Sequence, residues 1–308
     1  ALSLDWHYSA NGHLTAGAVL SQTEGTALLA TSLARSLYAF DEQGSIAWQV
    51  RTAAPIYALQ VLDGGRVAIG DDAGQVMVLR EGGDQVWVHD LGSRVTALRG
   101  WRGGLLAGGW DEQLTLLGAE GQVLWQADLH GPVSDIAALA QLALVATLDG
   151  DIEAFGPTGG RLWRYEAGTP LTALGLVAEE AAEARILAAA QDGRLVALDS
   201  RGHLRWQQRL DPKGGGSPLL SVVSPAAGAA AAILVGSGGD NPLLALLASD
   251  GELLWRVAIP SPVGAIAAAD MDGDGERELL AGLTSGEIQV YDWQGRLRAT
   301  AHAGLAVW

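Results

Sequence analysis

The chain has 308 residues, 49% apolar and 18% charged, with 42 Gly, no Cys and a formal net charge of −16. Such apolar content suits a packed core rather than disorder, and the lack of Cys excludes disulfide scaffolds, thiol nucleophiles and Cys-ligated metals. One Lys and 18 Arg against 35 acids leave no basic surface for the phosphate contacts of nucleic-acid binding, and favour cations or basic partners.

The opening ALSLDWHYS has neither a basic start nor a long apolar core. No signal peptide is expected from it, and the chain reads as cytoplasmic or as a processed or excised domain. From residue 44 a Gly followed four residues later by Trp recurs, at Gly44/Trp48, Gly83/Trp87, Gly121/Trp125, Gly159/Trp163, Gly202/Trp206 and Gly251/Trp255. A seventh copy at Gly295 carries Ala299 in place of Trp. Successive spacings are 39, 38, 38, 43, 49 and 44 residues. Within the third unit, VTALRGW (95–101), GLLAGGW (104–110), QLTLLGAEG (113–121) and QVLWQADL (122–129) read as four short strands separated by Gly and Asp turns. Four strands in about 40 residues, repeated, predict an all-β propeller of four-stranded antiparallel blades. The Trp is expected to pack between neighbouring sheets, and the Gly to supply positive φ in a tight hairpin.

Pro218–Gly236 has the length of a membrane span but is broken by Ser221, Ser224, Pro225 and Gly228. It reads as two strands around a turn, so no membrane span is expected. Trp6 and Leu14 show the eight-residue spacing found between Trp48 and Ile56, or Trp87 and Val95. Residues 2–8 are therefore expected to be an outermost strand that closes the ring by completing the last blade beside 286–293. The count becomes seven blades, with 1–13 as closing strand and linker, 14–301 as blades and 302–308 as a surplus tail. Eight is the competing count, but the middle strands of an eighth blade are missing.

The segments LYAFDEQGSIAWQV (37–50) and LVALDSRGHLRWQQRL (195–210) resemble the Ala-x-Asp-x-x-Gly-x-x-x-Trp repeats of the pyrroloquinoline-quinone-like propeller superfamily. That superfamily includes quinone-dependent dehydrogenases, the outer-membrane assembly lipoprotein and bacterial sensor propellers, so the resemblance implies fold rather than activity. Its quinone enzymes add eight blades, a vicinal disulfide and a calcium-bound catalytic Asp. With no Cys and seven blades here, no quinone cofactor is expected.

In the last unit, AAADMDGDGERELLAGL (267–283) places Asp270, Asp272, Asp274 and Glu278 at loop positions 1, 3, 5 and 9. Gly275 stands at position 6 and the Glu276 carbonyl at position 7. A hard-oxygen set of this kind suits Ca²⁺. The loop resembles those of FG-GAP and integrin-type repeats, with Glu278 where Asp is more usual. A structural Ca²⁺ is expected, and with it an extracytoplasmic location, because such loops suit millimolar calcium. The other reading is a solvated acidic hairpin.

The turns between second and third strands hold Asp71 and Asp72, Trp110 with Asp111, Asp149, Asp192 and Asp240, while His130 lies in an outer-to-inner loop on the same face. An acidic rim around a channel mouth would attract cations or a basic peptide, and an unknown protein, peptide or small ligand is the expected partner of this face; alternatively, Asp and Gly are ordinary turn formers there. The expected function is a non-catalytic ligand- or protein-binding propeller, extracytoplasmic, part of a surface or membrane protein. The alternatives are a polysaccharide-cleaving or quinone-dependent enzyme, or an outer-membrane assembly scaffold.

Overall fold

The protein is described by a computed structural model over residues 8, 13–22, 25–177, 184–210, 218–226, 228–239 and 241–302. Seven four-stranded antiparallel sheets follow one another along the chain, each built from four consecutive strands. Three residues of 3₁₀ turn, Asp63–Gly65, are the only helix among the described residues. The fold is a seven-bladed β-propeller. Blades 1 to 7 span 14–51, 56–90, 95–128, 133–166, 171–209, 219–258 and 263–302.

Contacts divide the chain into two compact units, one of residues 6–164 and one containing 165–308. The division falls inside the outer strand of blade 4, Arg161–Glu166. In both units the second and third strands of each blade are buried along most of their length, as in Ala143–Thr147 and Asp151–Phe155. The outer strands alternate instead, with Trp at a half-buried position, as in Val123–Asp128 and Leu253–Ala258. Middle strands covered on both faces become continuous apolar runs, whereas an edge strand keeps period-two alternation.

The Gly–Trp frame joins neighbouring blades. Each frame Gly has φ between 76° and 93°, the left-handed region a tight hairpin needs. In blades 2, 3, 4, 6 and 7 the same Gly seats the Trp of the preceding blade. A Cβ on Gly121 would lie 2.8 Å from the Trp87 ring, and one on Gly159 would lie 2.9 Å from the Trp125 ring. The Trp87 indole N–H donates to Ala119 O at 2.9 Å, that of Trp125 to Pro157 O at 3.0 Å, and that of Trp255 to Trp293 O at 2.9 Å. Gly and Trp thus recur together because one blade supplies the ring and the next supplies the space. Where the motif carries Asp, the side chain caps the hairpin: Asp41 Oδ1 accepts the amides of Gln43 and Ser45, and Asp199 Oδ1 those of Arg201 and His203.

A second link runs between inner strands. The register shifts at the second residue of the inner strand in blades 1, 2, 3, 4, 5 and 7, a β-bulge that re-aims that side chain. Thr15 Oγ1 uses it to reach Ile56 O at 2.7 Å, Thr96 Oγ1 to reach Val133 O at 2.5 Å, and Thr172 Oγ1 to reach Pro218 O at 3.2 Å. Blade 2 has Tyr57 at this place.

The segment 218–236 forms two strands, Leu219–Val223 and Ala232–Gly236. No described helix is long and apolar enough to cross a membrane. One expectation needs correction. The place beside 287–291 in the last sheet is held by Leu297–His302, not by residues 2–8, and Ala299 pairs with Val290 where other blades pair a Trp. Backbone pairing needs no Trp, so losing the ring removes an interblade wedge and leaves the strand. Residues 2–7 and the tail from 303 onward lie outside the described residues.

Candidate functional site

In the first unit, four side chains meet at the end of blades 2 and 3 that carries the second-to-third-strand turns. Asp72 pairs with the Arg94 guanidinium. Arg94 also lies over two rings, 4.8 Å from the centroid of Tyr57 and 5.0 Å from that of Trp110. Tyr57 arrives from the inner-strand bulge, and Trp110 from the end of the second strand of blade 3, where its amide donates to Arg94 O at 3.1 Å. Trp110 is 52% exposed. A guanidinium lying over two aromatic rings is held by cation–π attraction, and the paired carboxylate fixes it further.

Asp71 belongs to the turn beneath. It is buried, and its Oδ1 accepts the amides of Ala73 and Gln75 at 3.0 and 2.9 Å. Burial pushes its carboxyl above the usual range against those two amides, and the charges of Asp72 and Asp90 push the same way. Burial likewise raises Asp111, opposed by the amides of Gln113 and of Asp111 itself.

His130, between blades 3 and 4, joins a different group. Its backbone amide donates to Glu153 Oε1 at 2.8 Å, and Arg161 donates to Glu153 Oε2 at 2.7 Å and to His130 Nδ1 at 2.8 Å. The Glu153 side chain is 0% exposed, so these donors compensate a carboxylate removed from water. Asp149 is exposed and lies against Gly131, where a Cβ would fall 2.8 Å from its carboxyl. In the second unit, Asp192 accepts from Arg194 Nε at 2.7 Å and Arg209 at 2.9 Å. Burial opposes its ionisation, but Arg194 and Arg209 outweigh that and hold the carboxyl below its usual range. Asp240 lies outside the described residues.

The acidic loop of blade 7 joins its first two strands, Val263–Ala269 and Glu278–Leu283. Gly273 and Gly275, at φ 80° and 90°, fold it tightly enough that Asp270 Oδ1 and Oδ2 accept both their amides, at 2.7 and 3.0 Å. Glu278 reaches back to the Met271 amide at 2.8 Å. Carboxylate oxygens of Asp270, Asp272 and Glu278 lie within 4.8 Å of one another, close enough for one cation with oxygen ligands at about 2.4 Å. Asp274 turns its Oδ1 to the Glu276 amide at 2.7 Å, and neither Asp274 nor Glu276 joins that group. An adjoining cavity of about 730 Å³ is lined by Asp272, Asp274, Glu276 and Glu278, with Arg277 and Arg298 nearby.

Sequence reading did not single out Tyr57, Arg94, Glu153 or Arg161. Two signals were present. Tyr57 breaks the Thr pattern of residues 15, 96 and 172, and Glu153 is an acid inside a strand otherwise suited to full burial, DIEAF.

Blade number, strand order and the Gly–Trp seats define a repeat propeller. The family profile described as outer membrane protein assembly factor BamB matches residues 33–99 and 72–227, and the chain belongs to this family of quinone-type repeats. Among solved structures, the computationally designed Ika8 protein is 20% identical with a TM-score of 0.76, covering 95% of this chain and 89% of its own. BamB from Moraxella catarrhalis is 20% identical with a TM-score of 0.70, covering 94% and 86%. Sqt1 from Saccharomyces cerevisiae is 13% identical with a TM-score of 0.75, covering 92% and 83%. At such identities the likeness is one of fold. No curated protein matches the chain.

Proposed function

We propose that this protein is a non-catalytic, protein-binding scaffold of the outer-membrane-assembly-factor type, acting outside the cytoplasm. The observation that carries the reading is the Tyr57–Arg94–Trp110 stack with Asp72. An exposed Trp against a fixed Arg has the composition of an interface hot spot, and its rigidity lowers the entropy lost on docking. The residue that makes it possible departs from the repeat. Where blades 1, 3 and 5 place a Thr hydroxyl that reaches the next inner strand, blade 2 places a ring, a local departure of the kind found at functional sites. The family's description supports an assembly role. The acids nearby are committed to turns and ion pairs, Asp71 to two amides and Asp72 to Arg94, which favours recognition over catalysis.

Calcium in the blade 7 loop belongs to the same proposal. Asp270, Asp272 and Glu278 would hold it, and its charge would offset the repulsion among acids packed into nine residues. Its role there is to pin a turn, and the extracytoplasmic reading leans on it.

The test is quantitative co-purification of the tagged chain from its source cells, comparing wild type with Trp110→Ala and Leu162→Ala. Leu162 is 58% exposed and lies on the outer strand of blade 4, away from the stack. A partner lost about tenfold or more with Trp110→Ala and retained with Leu162→Ala supports the reading. Equal recovery with all three chains contradicts it.

A further inference from the structure

The opposite end of blades 2 and 3, where the first-to-second-strand turns lie, holds a cavity of about 330 Å³. Three guanidinium groups border it, Arg66, Arg99 and Arg102, in a protein whose formal charge is −16. Arg102 NH1 donates to Ala140 O and Gln141 Oε1, both at 3.2 Å, which fixes its place. Arg66 and Arg99 make no ion pair and no side-chain hydrogen bond among the described residues, although Asp63 stands on the same rim. With 35 acids in the chain, two guanidinium groups left without a carboxylate beside a third are an unneutralised positive cluster. Such a cluster raises the local concentration of anions.

The hairpin turn itself does not call for an arginine. Arg102 and Gly103 form a two-residue hairpin turn at φ 52° and 77°, where Asn or Gly is the favoured occupant at the first place. Arg99 is exposed on the inner strand of blade 3, opposite Leu106. Trp87 and Trp101 form part of the wall. Their indole N–H groups are already bound to Ala119 O and Leu139 O, so they offer the cavity apolar ring surface.

The geometry points to a binding site for a small organic anion. A carboxylate or phosphate group would be held by Arg66 and Arg99, and a compact body would rest against Trp87 and Trp101. The volume is that of a metabolite-sized ligand, near the lower end of ordinary small-molecule pockets. The inference stands apart from the partner-binding stack, which lies at the other end of the same blades.

Intrinsic tryptophan fluorescence tests it, because two of the cavity walls are indoles. The protein is titrated with citrate, glucose 6-phosphate and inorganic phosphate at constant ionic strength. The chains compared are wild type, Arg99→Gln, the double variant Arg66→Gln/Arg99→Gln, and Arg80→Gln, an exposed arginine that does not line the cavity. A saturable response to citrate or glucose 6-phosphate is expected. It should weaken about tenfold in Arg99→Gln, further in the double variant, and stay unchanged in Arg80→Gln. Preference between the two organic probes assigns the head group. Linear responses to all three anions, or equal affinity in wild type and Arg99→Gln, overturn the site.

Discussion

Trp48 and Trp87 hold the same repeat position, yet their indole nitrogens meet different surroundings. The Trp87 N–H donates to Ala119 O, whereas the Trp48 N–H is buried without a hydrogen-bond partner among the described residues. Trp87→Phe is therefore expected to cost about 1 kcal/mol more than Trp48→Phe in urea unfolding, the worth of one hydrogen bond. Gly121 is more demanding than either. Alanine there would meet the Trp87 ring in a left-handed backbone conformation, so Gly121→Ala should lower stability by about 2 kcal/mol or more. Two aspartates should answer pH with opposite signs. The folded chain raises the Asp71 carboxyl, chiefly by burial, so this group destabilises at neutral pH and the strain is relieved as pH falls through its folded value. Burial also opposes ionisation of Asp199, but the amides of His203 and Arg201 hold it below its usual range. Its stabilisation is present above the unfolded value near 4 and is lost as pH falls through the folded one. At pH 7, Asp71→Asn should raise the melting midpoint and Asp199→Asn should lower it, and both differences should shrink toward pH 3.

At the level of elements, hairpins were legible because their chemistry is local. Gly at positive φ and Trp four residues on lie within one hairpin, so their spacing places strands such as Val123–Asp128, read from the sequence as 122–129, to within a residue. The Tyr57–Arg94–Trp110 stack was not legible, because it joins residues 37 and 16 positions apart through the bulge of one blade and the turn of the next. Nothing in the local pattern says that residue 57 faces residue 94. The outer strand of blade 7 was misjudged for a related reason: the Trp that marks an outer strand serves the neighbouring blade, and its loss at Ala299 says nothing about pairing within the sheet. The acidic loop carries its own prediction. If Asp270, Asp272 and Glu278 share a Ca²⁺, thermal unfolding in millimolar calcium should occur several degrees above that in chelator. Asp272→Ala should abolish the difference and Asp274→Ala should leave most of it, since Asp274 stands outside the converging set. Identical midpoints with and without calcium would reduce the loop to a self-capped acidic hairpin.

Across the whole molecule, the repeated blade explains why fold and function separate. Within each unit neighbouring sheets share recurring devices, the Trp on its Gly seat and, from blades 1, 3 and 5, the inner-strand Thr hydroxyl, so the frame repeats in sequence. Specificity can enter only where a blade departs from that frame, and Tyr57 is such a departure. The account therefore stands on whether a partner meets the stack at blades 2 and 3. The most direct measurement places a photo-crosslinking amino acid at position 73, an exposed alanine beside Asp72 that leaves the stack intact, and in a second chain at position 162, then irradiates intact source cells. The account predicts a discrete protein adduct from position 73, lost when Trp110→Ala is added, and none from position 162. Adducts at 162 alone, or none at 73, would contradict a partner-binding role for this face.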